Sequence, residues 1–302
     1  MVKPPRIGLV GLGNMGASIA TRLAHNADVI GFDPQPGAAA RELHQANKLK
    51  LATAVAELSG ADAIILSLPS PPISLAVVTE LAPLLGRGGI IIETSTVTPA
   101  DMQRAAAVVQ ETGGMLVDAA ILAGTGPMVA GNAVLLVGGD PSDIEAARPT
   151  LQLFSNEITV LGPLGAGMAA KVINNAVAHS VMVVLAEAAS LAAANGIPRA
   201  SLAELLASDD GGLIRPLVHR YRERMLSSDF EGGMPTDAAR KDSTLALDLA
   251  QASGVPLFAI QSSHAVYEMA LAMGLGKQDY SSITTLWETW TGRPMRDGDE
   301  TQ

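Results

Sequence analysis

The stretch Ile7–Gly16, I-G-L-V-G-L-G-N-M-G, decides how the rest of the chain is read. A short apolar run (Ile7, Leu9, Val10) enters a turn holding Gly11, Gly13 and Gly16, then leaves into an alanine-rich segment. That pattern is a buried strand, a tight loop and a helix start. Asn14 and Met15 fall at the helix start, where unpaired N–H groups and the positive end of the dipole face outward and suit a phosphate. In this reading Gly11 permits the turn, Gly13 lets backbone approach a pyrophosphate, and Gly16 lets helix pack on strand. A glycine-rich turn alone is weak evidence, but its setting here is right. A second apolar strand, Asp28–Asp33, ends in an acid about twenty residues downstream, as a dinucleotide fingerprint requires.

Outward from that turn, apolar runs alternate with helical stretches. Strands are predicted at Ala63–Pro69, Gly89–Thr96, Met115–Leu122, Ala133–Gly139 and Ile158–Leu161. The alternation means parallel βαβ units, an α/β doubly wound sheet of Rossmann type covered on both faces. Such a sheet binds ligands beyond the carboxyl ends of its strands. The segments placed there are Asn14–Met15, Pro69–Ser70, Thr94–Thr96 and Leu122–Gly126. From Gly162 onward no further strong strand is found. Gly165–Asn195 reads as one unbroken helix, roughly 45 Å long at the usual rise. Helix signals continue to about Thr291, and a loose tail follows. The reading is a dinucleotide-binding domain at 1–163 and an all-helical substrate and dimerisation domain at 164–302. Apolar residues ring the long helix nearly completely, which means burial on most sides. One chain of this size would struggle to cover it, so a homodimer or homotetramer is expected.

Composition narrows the class. The 302 residues are 48% hydrophobic and 17% charged, a well-buried globular chain suited to two domains. The net charge of −10 argues against nucleic acid as a partner. No uninterrupted apolar run reaches the roughly 18 residues of a membrane span, and no targeting signal stands before the first strand. Cysteine is absent, which excludes thiolate catalysis and cysteine metal sites and fits a cytoplasmic protein. The five histidines show no metal-ligand pattern.

The long helix opens G-A-G-M-A-A-K-V-I-N-N, Gly165 to Asn175. Lys171, Asn174 and Asn175 stand at i, i+3 and i+4 and share a face. Burial and the positive helix start both lower an ammonium pKa there, and a lysine near neutrality can exchange a proton with a hydroxyl. The bland alternative, a lysine reaching solvent, is outweighed by two adjacent asparagines on an otherwise apolar helix. Arg215 and His219, at i and i+4 in R-P-L-V-H-R-Y-R-E-R-M, can grip a carboxylate or form a solvated basic face. Lys241 and Asp242 alone read as a surface pair, and Glu93 as structural.

The chain resembles the β-hydroxyacid dehydrogenases, the group that includes 3-hydroxyisobutyrate dehydrogenase and tartronate semialdehyde reductase. The resemblance spans almost the whole chain. It rests, in order, on G-L-V-G-L-G-N-M-G (Gly8–Gly16), S-L-P (Ser67–Pro69), E-T-S-T-V-T-P (Glu93–Pro99), G-A-G-M-A-A-K-V-I-N-N and K-D-S-T-L-A-L (Lys241–Leu247). It implies a NAD-dependent oxidoreductase that interconverts a small β-hydroxy acid, or a related anionic alcohol, and its carbonyl. Lys171 would be the catalytic lysine, with Asn175 its orienting or substrate-binding partner and Asn174 beside it. Gly11, Gly13, Asn14, Met15, Gly16, Asp33, Leu68 and Pro69 would hold the cofactor. Thr96 would lie near the nicotinamide, and Lys241 would reach toward it. Asp33 favours NAD by repelling a 2′-phosphate. The family's substrate loop reads D-A-P-V-S-G-G; here Asp118–Gly124 reads D-A-A-I-L-A-G. Leu122 replaces a serine and Ala123 a glycine, so recognition at Leu122, Ala123 and Gly124 must rely on backbone N–H groups or the site must hold something less polar; Arg215 is a separate substrate-binding candidate. Met234 stands where a phenylalanine is usual. Two rivals are an imine reductase, which generally lacks this lysine, and a non-catalytic dinucleotide sensor. A 6-phosphogluconate-type decarboxylating enzyme needs a larger helical domain.

Overall fold

A computed structural model describes residues Lys3–Arg296. The chain divides into two compact units, Met1–Ala176 and Val177–Gln302. The expected tail beyond Thr291 is described only to Arg296; residues 297–302 lie outside the described residues.

The first unit carries one eight-stranded sheet. Its strands are β1 (Arg6–Val10), β2 (Asp28–Phe32), β3 (Lys50–Leu51), β4 (Ala63–Leu66), β5 (Ile90–Glu93), β6 (Met115–Leu122), β7 (Val134–Gly138) and β8 (Glu157–Gly162). They lie in the order β3-β2-β1-β4-β5-β6-β7-β8. The chain reverses direction across the sheet at β1, where β2 and β4 flank it in parallel. A doubly wound sheet opens its ligand crevice at that switch point. The connecting helices are α1 (Asn14–Leu23), α2 (Ala38–Gln45), α3 (Pro71–Leu85), α4 (Pro99–Glu111), α5 (Thr125–Ala130) and α6 (Pro141–Phe154).

Successive strand residues point to opposite faces, and here both faces are buried. Ile7, Leu9, Ile65, Ile92 and Val117 join one core with Ile19, Leu23 and Phe154. Val10, Ile64, Leu66 and Ile91 join the other with Val78, Leu81, Met102 and Val109. That is why the strands read as unbroken apolar runs. The sheet departs from the all-parallel expectation at one place: β7 runs antiparallel to β6. Only residues 123–133 separate the two strands, and a parallel crossover needs a dozen or more.

A single helix, α7 (Ala166–Ala194), begins in the first unit and continues into the second. The second unit adds α8 (Arg199–Ala207), a π-helix (Pro216–Met225), α9 (Thr236–Ser253), α10 (Ala259–Ala272) and α11 (Thr284–Thr291). Buried Glu187 of α7 caps α10 by accepting the Phe258, Ala259 and Ile260 N–H groups at 2.6, 2.8 and 3.1 Å. Buried Asp279 pairs with Arg220 at 3.1 Å and accepts the Met234 and Ser281 N–H groups. The expected burial of α7 on most sides does not occur within one chain: Ile173, Val177 and Met182 are each about 60% exposed.

Candidate active site

The glycine turn shows which of its residues the protein itself requires. Gly11 adopts φ 91°, open to glycine at little cost. A Cβ there would collide with the Ser67 carbonyl, and one at Gly16 with the Gly11 carbonyl. Both glycines are therefore packing necessities. Gly13 is different: it is exposed, its φ is −69°, and a Cβ on it would meet nothing within 4 Å. Nothing within the protein demands glycine at that position, whereas a ligand lying on the backbone does. Gly13 also caps α1 without a side-chain hydrogen bond, leaving the first N–H groups of a ten-residue helix available to an anion.

The cleft above this turn has a volume of about 510 Å³. Gly11, Gly13, Asn14, Met15, Gly16, Asp33, Leu68 and Pro69 all line it, so the structure gathers there eight residues proposed from sequence. Asp33 is held rigidly, accepting the Leu12 N–H at 2.7 Å and the Gln35 N–H at 2.8 Å. Asp33 and Pro34 both line the cleft. The residues fit a dinucleotide. Thr96 is exposed in the loop after β5 and does not line this cleft.

The start of α7 is fixed by Asp118, whose role the motifs of the sequence do not mark. Asp118 is fully buried in β6. Its carboxylate accepts the Gly165 N–H at 2.6 Å and the Met168 N–H at 2.9 Å. The approach is close enough that a Cβ on Gly138 or Gly167 would stand 2.7 or 2.8 Å from the carboxylate oxygens. Burial raises the Asp118 pKa, and the backbone N–H groups pull it back only partly. The signal in the sequence was one charge inside an apolar strand, M-L-V-D-A-A-I-L.

On this seated helix Lys171 and Asn175 are half-buried and Asn174 is exposed. Burial lowers the Lys171 pKa, and no charged neighbour contributes. At the end of β6, Leu122 is 37% exposed, Ala123 half-buried and Gly124 exposed. Lys241 and Arg215 belong to the second unit. Lys241 pairs with Asp242 at 3.0 Å and both are exposed. Arg215 pairs with Asp210 at 2.6 Å, and His219 with Glu223 at 3.0 Å, so Arg215 and His219 each meet a separate carboxylate. Among the described residues no group of three or more His, Asp or Glu is arranged to hold a metal ion.

Fold and cleft together define a dinucleotide-binding protein with a helical second half. The comparisons carry this to a family. Residues 6–162 match the NAD binding domain of 6-phosphogluconate dehydrogenase. Residues 165–287 match the family described as NAD-binding of NADP-dependent 3-hydroxyisobutyrate dehydrogenase. The chain is 31% identical to 2-(hydroxymethyl)glutarate dehydrogenase of Eubacterium barkeri, over 99% of this chain and 100% of that one. A solved structure of Mycobacterium tuberculosis 3-hydroxyisobutyrate dehydrogenase with L-serine is 29% identical, covers 94% of this chain and 99% of that one, and has a TM-score of 0.64. An imine reductase from Pseudomonas sp. superposes with a TM-score of 0.83 over 95% of this chain and 100% of that one. At 23% identity that likeness shows the fold alone. The chain belongs to the β-hydroxyacid dehydrogenase family. It is a nicotinamide-dinucleotide-dependent oxidoreductase acting on the CH–OH group of hydroxy acids.

Proposed function

We propose that this protein is a NAD-dependent dehydrogenase that interconverts a small 2-substituted 3-hydroxy acid and its aldehyde, with Lys171 as general acid and base. The three compounds named with its relatives, 2-(hydroxymethyl)glutarate, 3-hydroxyisobutyrate and L-serine, share one group: a primary alcohol on the carbon next to a carboxylate-bearing carbon. They differ only in the substituent at that central carbon. Leu122, in place of the usual serine, favours a substrate held at that loop by backbone N–H groups and apolar contact rather than by a hydroxyl. Arg215 and Lys241 are the cations we assign to substrate and cofactor.

The bound nicotinamide supplies the hydride acceptor for oxidation and the hydride donor for reduction. In oxidation Lys171, as the neutral amine, takes the hydroxyl proton as the hydride leaves carbon. In reduction Lys171, as ammonium, returns that proton to the forming alkoxide. Burial favours this exchange by lowering the lysine pKa toward the working range. Asn175, one helical turn on, orients the substrate oxygen, and Asn174 contacts the substrate from the same face. The fixed carboxylate of Asp33 favours NAD over NADP.

The observation that carries the reading is Lys171 on a helix tied directly to β6, the strand that ends in the substrate loop. The test is a screen of three- to six-carbon 2-substituted 3-hydroxy acids, with sulfonate and phosphonate analogues and a set of cyclic imines. NAD reduction by at least one hydroxy acid supports the proposal. Turnover of cyclic imines alone, or dinucleotide binding without turnover of any compound, would overturn it.

Assembly belongs to the same proposal. Helix α7 is 29 residues long and holds an 18-residue window with a mean hydropathy of 1.7, long and apolar enough by those measures to cross a membrane. Its polar residues, Lys171, Asn174, Asn175, His179 and Glu187, recur along its length, which suits a protein interface better than lipid. We assign its exposed face, Ile173, Val177, Met182 and Val183, to a second copy of the chain. Light scattering at micromolar protein should give a dimer or tetramer; a monomer would contradict it.

A further inference from the structure

Glu93 is a buried acid at the carboxyl end of the sheet that the proposed chemistry leaves unused. It closes β5 with 2% of its surface exposed. Its partners are two hydroxyl-bearing residues. The Ser74 hydroxyl of α3 donates to one carboxyl oxygen, and the Ser95 N–H donates to the other at 2.8 Å. Burial pushes the Glu93 pKa up, while Ser74 and Ser95 pull it back only partly.

The arrangement does not end at Ser95. Its Oγ accepts the backbone N–H of Leu68 at 2.7 Å, while its own N–H is held by Glu93. Leu68 and Pro69 form a wall of the dinucleotide cleft. From the opposite side, Gly11 rests so closely on the Ser67 carbonyl that it has no room for a Cβ. The Ser67 N–H is already spent on the Val10 carbonyl at 2.8 Å, as the strand ladder requires. The short exit of β4 is therefore gripped between the glycine turn and Ser95, and Ser95 is oriented by Glu93.

We infer that Glu93 and Ser95 form a brace that sets the Leu68–Pro69 wall, making both of them positioning residues for dinucleotide binding. The inference rests on the cleft described above and is independent of the substrate. Without the brace, the Leu68 N–H loses its acceptor and turns toward solvent or toward the cleft, and the wall opens.

The test is dinucleotide affinity of the full-length protein, read by fluorescence titration with NADH and with NADPH. Ser95→Ala should raise the dissociation constant about fivefold, the value of one ordinary hydrogen bond. Glu93→Ala should weaken binding by at least as much. Glu93→Gln, which keeps the shape and an acceptor for the Ser95 N–H, should stay within about twofold of wild type. The double variant Ser95→Ala/Glu93→Ala should be no worse than the poorer single one, because both act through one chain of bonds. Wild-type affinity in both single alanine variants, or losses that add in full, would overturn the brace. If Glu93→Ala does not fold, Ser95→Ala decides alone. A wild-type protein that binds neither dinucleotide would overturn the cleft reading itself.

Discussion

Replacing Asp118 should loosen the seat of α7 by an amount the hydrogen bonds allow us to state. The carboxylate is fully buried and satisfies two backbone N–H groups, at 2.6 and 2.9 Å. In Asp118→Asn the amide oxygen keeps one bond, and the amide NH₂ faces the other donor. One buried N–H left unpaired costs about 1–3 kcal/mol. In Asp118→Ala both are left unpaired, at about 2–6 kcal/mol. For a domain the size of the first unit, each kcal/mol moves Tm by about 2–4 °C. Asp118→Asn should therefore melt about 2–12 °C lower, and Asp118→Ala lower still. Urea denaturation checks the order, with the midpoint shifting and m unchanged. Function should divide the same way. The Gly11–Gly16 turn does not touch Asp118, so NADH affinity should hold, while turnover falls as Lys171 shifts. An alanine variant within about 0.5 kcal/mol of wild type, the range of an ordinary surface change, would refute the reasoning.

The glycines give a sharper contrast. Gly13→Ala should fold with near-normal stability yet bind NADH at least about tenfold more weakly, because its Cβ clashes only with ligand. Gly11→Ala should lose stability and binding together, since its Cβ meets the Ser67 carbonyl; calorimetry beside titration separates the two. Glu93 predicts a pH signature. Its folded pKa is raised, so its contribution is present at low pH and is lost as pH rises through that raised value. Wild type should then lose stability relative to Glu93→Gln from the ordinary carboxylate range upward, and a pH-independent difference would contradict this. For Asp33→Asn, NADPH should gain on NADH in affinity by about tenfold, some 1.4 kcal/mol, through loss of one repelling charge.

Much of the fold was legible because its signals are local. The strand–glycine–helix stretch at Ile7–Gly16, the acid at Asp33 and the helix run from Gly165 each depend on neighbouring residues. Strand Met115–Leu122 is read with the limits the structure gives it. Much of the cleft lining was legible for the same reason, since it comes from loops that motifs mark, whereas Thr96 and Lys241 do not line it. What escaped was non-local. The reversal of β7 depends on how short the stretch between Leu122 and Val134 is, and the apolar runs do not record direction. Glu93 read as structural and Asp118 as part of a loop motif, because their partners lie as far away as Ser74 and Met168. The pairing of Arg215 with Asp210 follows from a turn whose shape its composition leaves open. For α7, apolar composition pointed to burial that one chain would struggle to supply, and Ile173 and Met182 are exposed in the single chain.

The central claim is that Lys171 moves the proton in a reaction whose hydride the dinucleotide carries. It is tested most directly by comparing kcat for wild type and Lys171→Ala on a 3-hydroxy acid that wild type oxidises, with NADH affinity measured on the same preparations. NADH affinity should stay within about twofold of wild type while kcat falls by about 10²–10⁴-fold, the usual loss on removing a general acid or base. A Lys171→Ala protein that binds NADH normally and turns over within about tenfold of wild type would contradict it.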